Sequence, residues 1–460
     1  MKVPLLIGNN FAVLVGAYEL ARRGIRVNLL TDNKPLGGHF AGIHIGGRDF
    51  DVGMVMLEKR MQDSSSSDLR TYGASMRNDW TRFGGMAARW LDEQENLRRV
   101  PTPTCLVRGR IVPDYLISNR LDVFVGGDVS GPAPLSCDDE HHASHKTTST
   151  AYDALSYAEA AKLNHGEALH ARFIEPYIRK SLGVTSNSFL ARYHRAAWVP
   201  LYYPETLSGA LAGEPTLAEY PFWTTHNGFV GQLVKNLLGE LENQTNVTLV
   251  DRTVISLQWE GGQWNAAVDG GEMWSGEQLA LGLTPARAHA LLGTTPPVHG
   301  LSASVTLLFA IVRANAIGRA HGCLMVVDED YAAYRLTDQD TLAGINPEWH
   351  RVVVEVRTEQ LAKQYPQLDA EAALEKELRL LMAVDSEDGN AVQVLKCIAV
   401  PNALGLPTVS VVTELRSANA SFSEVTRGAA LTGGLLGYGV SSFNDQLIQG
   451  LKIAEEFSGR

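Results

Sequence analysis

Cysteine is scarce here: four residues among 460, at positions 105, 137, 323 and 397, with no C-x-x-C pair. That argues against a disulfide framework or a cysteine zinc site and points to a reducing compartment. Basic charge is also in short supply, with 40 Lys and Arg against 51 Asp and Glu and a formal net charge of −11. No nucleic-acid partner is expected, because a phosphate backbone calls for a basic footprint. Long apolar runs are missing too: none approaches the roughly 18 residues that cross a bilayer. The opening MKVPLLIGNN carries one Lys and an apolar stretch broken by Gly8, so it reads as a core strand and not a signal peptide. Internal repeats and long low-complexity tracts are absent. A cytoplasmic protein is the expectation.

What is present is an ordinary globular composition, 45% hydrophobic and 20% charged, at a length that usually divides into two or three domains. Residues 3–7 (VPLLI) form a short apolar run, as expected of a parallel strand buried on both faces. A turn at Gly8-Asn9-Asn10 leads into FAVLVGAYELARRG, where apolar residues recur at helical spacing and Gly24 suits the C′ position. Residues 25–30 (IRVNLL) make a second strand, completing a β-α-β unit. Further along, 61–78 and 126–150 read as polar loops, and 154–182 as helical. An amphipathic helix is expected over 228–243, then a β-meander over 247–283 punctuated by Gly261-Gly262 and Gly270-Gly271. Strands at 303–313 and 351–356, a helix at 369–383 and a final helix from Asn444 complete the pattern.

A G-x-G-x-x-G turn between strand and helix lets the backbone approach a pyrophosphate, which the helix N-terminus then binds. Here only Gly8 survives, with Asn10 and Val13 at the other two glycine positions. Asn tolerates unusual backbone angles, but its side chain is expected to intrude where the phosphate would lie. At the end of the second strand, where an acid usually binds the ribose, stand Thr31 and Asp32. If no cofactor is bound, the Phe11 ring and the Val13 side chain would fill the vacated space.

Residues 34–57 (KPLGGHFAGIHIGGRDFDVGMVML) resemble the second signature of a large flavoprotein superfamily. It includes the amine oxidases, protoporphyrinogen oxidase, phytoene desaturases, UDP-galactopyranose mutase and the non-flavin Rab GDP-dissociation inhibitors. Gly37-Gly38 and Phe50-Asp51-x-Gly53 match the signature, and His39 stands where Arg is usual. The stretch from Gly437 through Gly439, Val440, Ser441, Asn444 and Asp445 is similar to the closing flavin loop, with Asn444 or Asp445 capping the helix. The middle helix and meander resemble the family's central segment, with Val254 at a backbone contact to adenine. Segments around Phe173–Gly183, Tyr193–Trp198 and Tyr202–Glu205 look like the mutase-like and protoporphyrinogen-oxidase-like branches.

The resemblance implies an α/β fold in which a Rossmann-like, glutathione-reductase-2-like FAD/NAD(P)-binding domain is interwoven with a mixed α+β substrate domain. The first would hold residues 1–60, 215–290 and 420–460, and the second 61–214 and 291–419. It implies FAD and a small-molecule substrate, an amine or a sugar nucleotide, in a biosynthetic pathway for a sugar or secondary metabolite. A redox-neutral mutase-like flavoenzyme and a cofactor-free binding or assembly protein are the alternatives. No catalytic residue is carried over. His194, Arg195, Tyr202, Tyr203 and Arg335 are candidates for the substrate pocket, with core packing or structural pairing as the competing reading. The run Asp138–His145 lacks regular ligand spacing and reads as a solvated loop, so no metal is expected.

Overall fold

The computed structural model describes residues 3–59, 74–112, 155–164, 166–194, 197–200, 222–295, 302–385, 388–437 and 441–459. The first apolar run becomes strand β1 (Leu5–Gly8), buried throughout, and helix α1 (Phe11–Arg22) follows it. Gly24 ends that helix with φ +75° and no neighbour in the way, as the left-handed C′ position requires. Strand β2 (Val27–Leu30), the hairpin β3 (Ile43–Ile45) and β4 (Arg48–Phe50), and β5 (Leu57–Glu58) come next. Helix α2 (Ala74–Gln94) begins inside the stretch expected to be a loop over 61–78; residues 60–73 lie outside the described residues. The chain continues through β6 (Leu97–Val100), β7 (Thr104–Val107), β8 (Arg110–Val112), α3 (Tyr157–Asn164) and α4 (Glu175–Leu182). A π-helical turn at His170–Ile174 precedes α4.

Strand β9 (Phe222–Thr225) leads to helix α5 (Gly231–Glu242), whose Leu233, Val234, Leu237 and Leu241 form the buried stripe. Then come β10 (Val247–Val250), β11 (Val254–Glu260), β12 (Gln263–Val268), β13 (Met273–Gly276), β14 (Leu279–Gly282) and α6 (Pro285–Leu291). The last part holds β15 (Ser302–Arg313), β16 (Cys323–Val326), β17 (Ala333–Asp338), β18 (Trp349–Arg357) and α7 (Ala370–Met382). It closes with β19 (Val392–Gly405), α8 (Val409–Thr426), β20 (Ala430–Leu431) and α9 (Phe443–Phe457).

These elements build a five-stranded sheet in the order β10-β2-β1-β14-β20, with every pairing parallel. The meander expected over 247–283 is therefore smaller: β11, β12 and β13 pair antiparallel, while the flanking β10 and β14 belong to the parallel sheet. Successive residues of β1 face opposite sides. Leu6 packs with Leu14, Leu233 and Leu447 from α1, α5 and α9, whereas Leu5 and Ile7 pack with Trp264 and Ala266 of the meander. Both faces are covered, which is why the strand reads as an unbroken apolar run. A second, seven-stranded mixed sheet runs β19-β15-β18-β17-β16-β7-β8, with α7 packed on one face. The fold is thus mixed α/β, as expected. No helix among the described residues is long and apolar enough to cross a membrane.

One corner of the second sheet couples folding to pH. The fully buried Asp338 carboxylate caps a short helix (Gln339–Leu342) and bonds His350 Nδ1 at 2.9 Å. That hydrogen bond raises the His350 pKa above its ordinary value. A raised histidine stabilises the fold fully below about pH 6.5 and loses that contribution as pH rises through the folded-state value. Thermal unfolding should therefore show a midpoint that falls across this window, and His350→Gln should flatten the fall. An equal slope in both proteins would assign it elsewhere.

Candidate functional site

In parallel α/β sheets, ligands bind outside the carboxyl ends of the strands, where the strand order reverses direction. Here that point lies between β1 and β14, since β2 follows β1 on one side and β14 joins it on the other. Gly8 ends β1 with φ +133°, and a Cβ there would lie 2.3 Å from the carbonyl oxygen of Gly282. Asn10 is the N-cap of α1: its Oδ1 accepts from the Val13 N–H at 3.1 Å, and its Nδ2 donates to Thr432 Oγ1 at 2.8 Å. The amide is stowed against two glycines, for a Cβ on Gly282 would fall 2.6 Å from Asn10 Oδ1, and one on Gly433 3.0 Å from Nδ2. The Asn10 side chain, expected to intrude where a phosphate would lie, is turned toward Val13 and Thr432. Its bulk is absorbed where β14 and the 433 turn carry no side chain.

No acceptor among the described residues faces the N–H groups of Phe11 and Ala12 in the first turn of this 12-residue helix. Two free donors at the positive end of a helix dipole fit a diphosphate. The Phe11 ring is fully buried, 4.2 Å from the Phe443 ring and edge-on to Phe40 and Trp90. It fills the seam between the N-termini of α1 and α9.

At the far end of the crevice the expected ribose contacts are already engaged. Thr31 Oγ1 donates to Asp251 at 2.6 Å. Asp32 sits in a left-handed conformation, φ +57°, with its carboxylate buried. It accepts from the Val254 N–H at 2.9 Å and from Arg287 Nε and Nη2, each at 2.7 Å. Arg287 Nη2 also donates to the Val254 carbonyl, so both backbone groups of Val254 are bonded within the chain. The Asp32 hydrogen bond raises the Arg287 pKa further above its ordinary value.

The second signature is divided between packing and openness. Gly37, φ +92°, approaches α5 so closely that a Cβ would lie 2.4 Å from Val234 Cγ1, and its N–H donates to the Asn9 carbonyl at 2.7 Å. Gly38 faces open space, and the neighbouring His39 is exposed with its ring 3.8 Å from that of Phe40. Asp51 does not reach the crevice. It is buried and caps α5, accepting from the N–H groups of Val230 at 2.8 Å and Gly231 at 3.0 Å. Burial pushes its carboxyl up to about 7 against the pull of those donors. At Gly53, φ +82°, a Cβ would fall 3.0 Å from the Glu355 carboxylate.

In the closing loop Gly439 and Val440 lie outside the described residues, and Ser441 is exposed. The cap of α9 is Ser442, in a reciprocal box with Asp445, and Asp445 also accepts from Trp80 Nε1 at 2.9 Å. Burial raises the Asp445 pKa. Asn444 instead pairs with the backbone of Glu58, accepting its N–H at 2.8 Å and donating to its carbonyl at 2.6 Å. Sequence reading thus put the cap two or three residues late. Of the substrate candidates, His194 is buried with Nδ1 2.9 Å from the Val199 carbonyl, while Arg195, Tyr202 and Tyr203 lie outside the described residues. Arg335 is held by two 2.6 Å bonds to Glu355, a buried pair facing Gly53. Among the described residues no group of His, Cys, Asp and Glu could hold a metal ion.

Sequence reasoning missed Arg287, Thr432 and Gly282. Arg287 had a signal: Thr284-Pro285 is an N-cap and first-turn proline directly after β14, which starts α6 at the carboxyl edge of the sheet.

No family model and no curated protein sequence matches this chain. Solved structures do. A reduced UDP-galactopyranose mutase superposes with a TM-score of 0.68 at 15% identity, covering 100% of this chain and 96% of that one. A putative protoporphyrinogen oxidase from Exiguobacterium sp. 255-15 gives 0.62 at 15% identity, covering 100% and 99%. Putrescine oxidase bound to putrescine gives 0.58 at 13% identity, again covering 100% and 99%. This chain therefore has, along its whole length, the fold of these proteins, the one that its second signature and closing loop resemble.

Proposed function

We propose that this protein is an FAD-dependent oxidoreductase of the amine oxidase-like kind, acting on an amine or sugar nucleotide in a biosynthetic pathway. The carrying observation is the pair of unpaired N–H groups of Phe11 and Ala12 at the strand-order reversal. Residues 1–60, 215–290 and 420–460 would form the cofactor domain, and 61–214 with 291–419 the substrate domain. Phe11 and Ala12 would hold the diphosphate, and Gly38 leaves the approach open. When bound, flavin supplies a hydride acceptor for oxidation of a C–N or C–C bond. The chain's part is to bind, orient and exclude water, and the Arg335–Glu355 pair presents a buried, fixed charge pattern beside Gly53. No base is assigned.

The superposition on UDP-galactopyranose mutase supports a sugar nucleotide as readily as an amine. A requirement for reductant without net redox change would select the mutase-like form. A third reading, a cofactor-free binding protein on this fold, is favoured by the internal bonding of Asp32, Arg287 and Val254. The visible spectrum of the purified protein separates this third reading from the two flavin readings. Flavin bands that bleach with dithionite are the expected result. A colourless protein unchanged by added FAD would overturn the flavin reading.

A further inference from the structure

We infer that Arg287 and Asp32 form an internal clasp over the adenosine end of the crevice, which an adenine nucleotide must open in order to bind. The inference rests on the reading that the crevice takes a dinucleotide. Three segments remote in sequence meet here: Asp32 just after β2, Val254 at the start of β11, and Arg287 in α6 after β14. All three lie at the carboxyl edge of the parallel sheet, the edge at which α1 also begins.

The chemistry of the clasp is that of a planar ligand. Its two charged groups together offer the backbone of one residue an acceptor, Asp32 Oδ1 for the Val254 N–H, beside a donor, Arg287 Nη2 for the Val254 carbonyl. A purine edge, with a ring nitrogen beside an amino group, offers the same pair. While the clasp is shut, no such edge can reach Val254. Asp32 is held in a left-handed conformation, φ +57°, that a residue with a Cβ adopts at a cost, and Arg287 and Val254 supply the compensating contacts.

The two halves differ in mobility. The Asp32 side chain is 3% exposed and that of Arg287 33%, so the guanidinium is the part that can swing into solvent. Its departure bares Val254 and leaves the Asp32 carboxylate free to accept from ribose hydroxyls. Closing therefore suppresses nucleotide affinity by the fraction of molecules that are shut. Arg287 is accordingly a positioning residue that governs binding.

The test titrates ADP and FAD into the full chain by calorimetry, comparing the parent protein with Arg287→Ala and Arg287→Gln. The second variant keeps a polar stem should the first fold poorly, and circular dichroism checks both. Removing the clasp should tighten ADP binding about tenfold or more, even though a positive charge is lost. Adding Asp32→Asn to Arg287→Ala should return most of that gain. Unchanged or weaker ADP binding in both single variants overturns the clasp, since Arg287 is then a bystander or a direct ligand contact. No ADP binding by any variant overturns it as well. The flavin reading is judged separately. A colourless parent whose Arg287→Ala variant binds ADP keeps the clasp and sinks that reading, whereas a yellow parent with unaltered affinities does the reverse.

Discussion

Gly8→Ala should cost the fold several kcal/mol of stability. The added Cβ would sit 2.3 Å from the Gly282 carbonyl oxygen, and Gly8 holds φ +133°. The opposing atoms are main chain of β14, the parallel partner of β1, so no flexible side chain can give way. Overpacking costs about 1–3 kcal/mol, and a backbone conformation foreign to alanine about 1–3 kcal/mol more. Together these are a large part of the roughly 5–15 kcal/mol that a domain has. Gly24→Ala is the control, for it shares a positive φ of +75° but meets nothing within 4 Å. Urea unfolding of the two variants should place Gly8→Ala several kcal/mol below Gly24→Ala. Similar losses would show that backbone angle alone matters and that the β1–β14 approach does not.

Arg351→Met should be the most damaging change in the second sheet. From β18 its guanidinium reaches the Asp340 carboxylate (Nη2–Oδ1 2.5 Å), the Asp49 carbonyl at 2.9 Å and the Asn227 carbonyl at 2.5 Å. It therefore joins the hairpin β3–β4 and the turn before α5 to the large sheet. The pair is buried, with side-chain exposures of 11% for Arg351 and 3% for Asp340. Removing one partner of such a pair leaves an uncompensated charge and costs about 3–5 kcal/mol. Arg351→Met combined with Asp340→Asn should lose less than the sum of the two single changes. Chemical denaturation of the four proteins measures that coupling. Additive losses would mean that the two side chains contribute independently.

Much of the fold was legible because buried elements carry strong local patterns. The run before Gly8 is apolar at every residue since both faces of β1 are covered, and the stripe Leu233, Val234, Leu237, Leu241 repeats at helical spacing. Elements with weaker patterns were missed. β19 lies at the edge of its sheet, carries Pro401 and is largely half-buried or exposed, so its alternation is blurred. The beginning of α2 is polar and follows a serine run, which imitates a loop. β10 and β14 look like hairpin strands because short apolar segments between glycines do not reveal their partners. Parallel pairing is set by strands more than 200 residues away.

Sequence alone determined the β-α-β unit, its glycine-poor turn and the second signature, because these depend on neighbours within a few tens of residues. It also determined that Gly8 remains as the first glycine of that turn. Only the tertiary structure decided where the side chains around that turn and signature go. Asn10 fits its turn because Gly282 and Gly433, far along the chain, leave room for its amide. Asp51 serves a helix and not the crevice, since α5 brings two N–H groups to it. Asp32 is engaged because α6 delivers Arg287 from 255 residues away. Such meetings of side chains depend on where the strands end in space, and no local pattern encodes that.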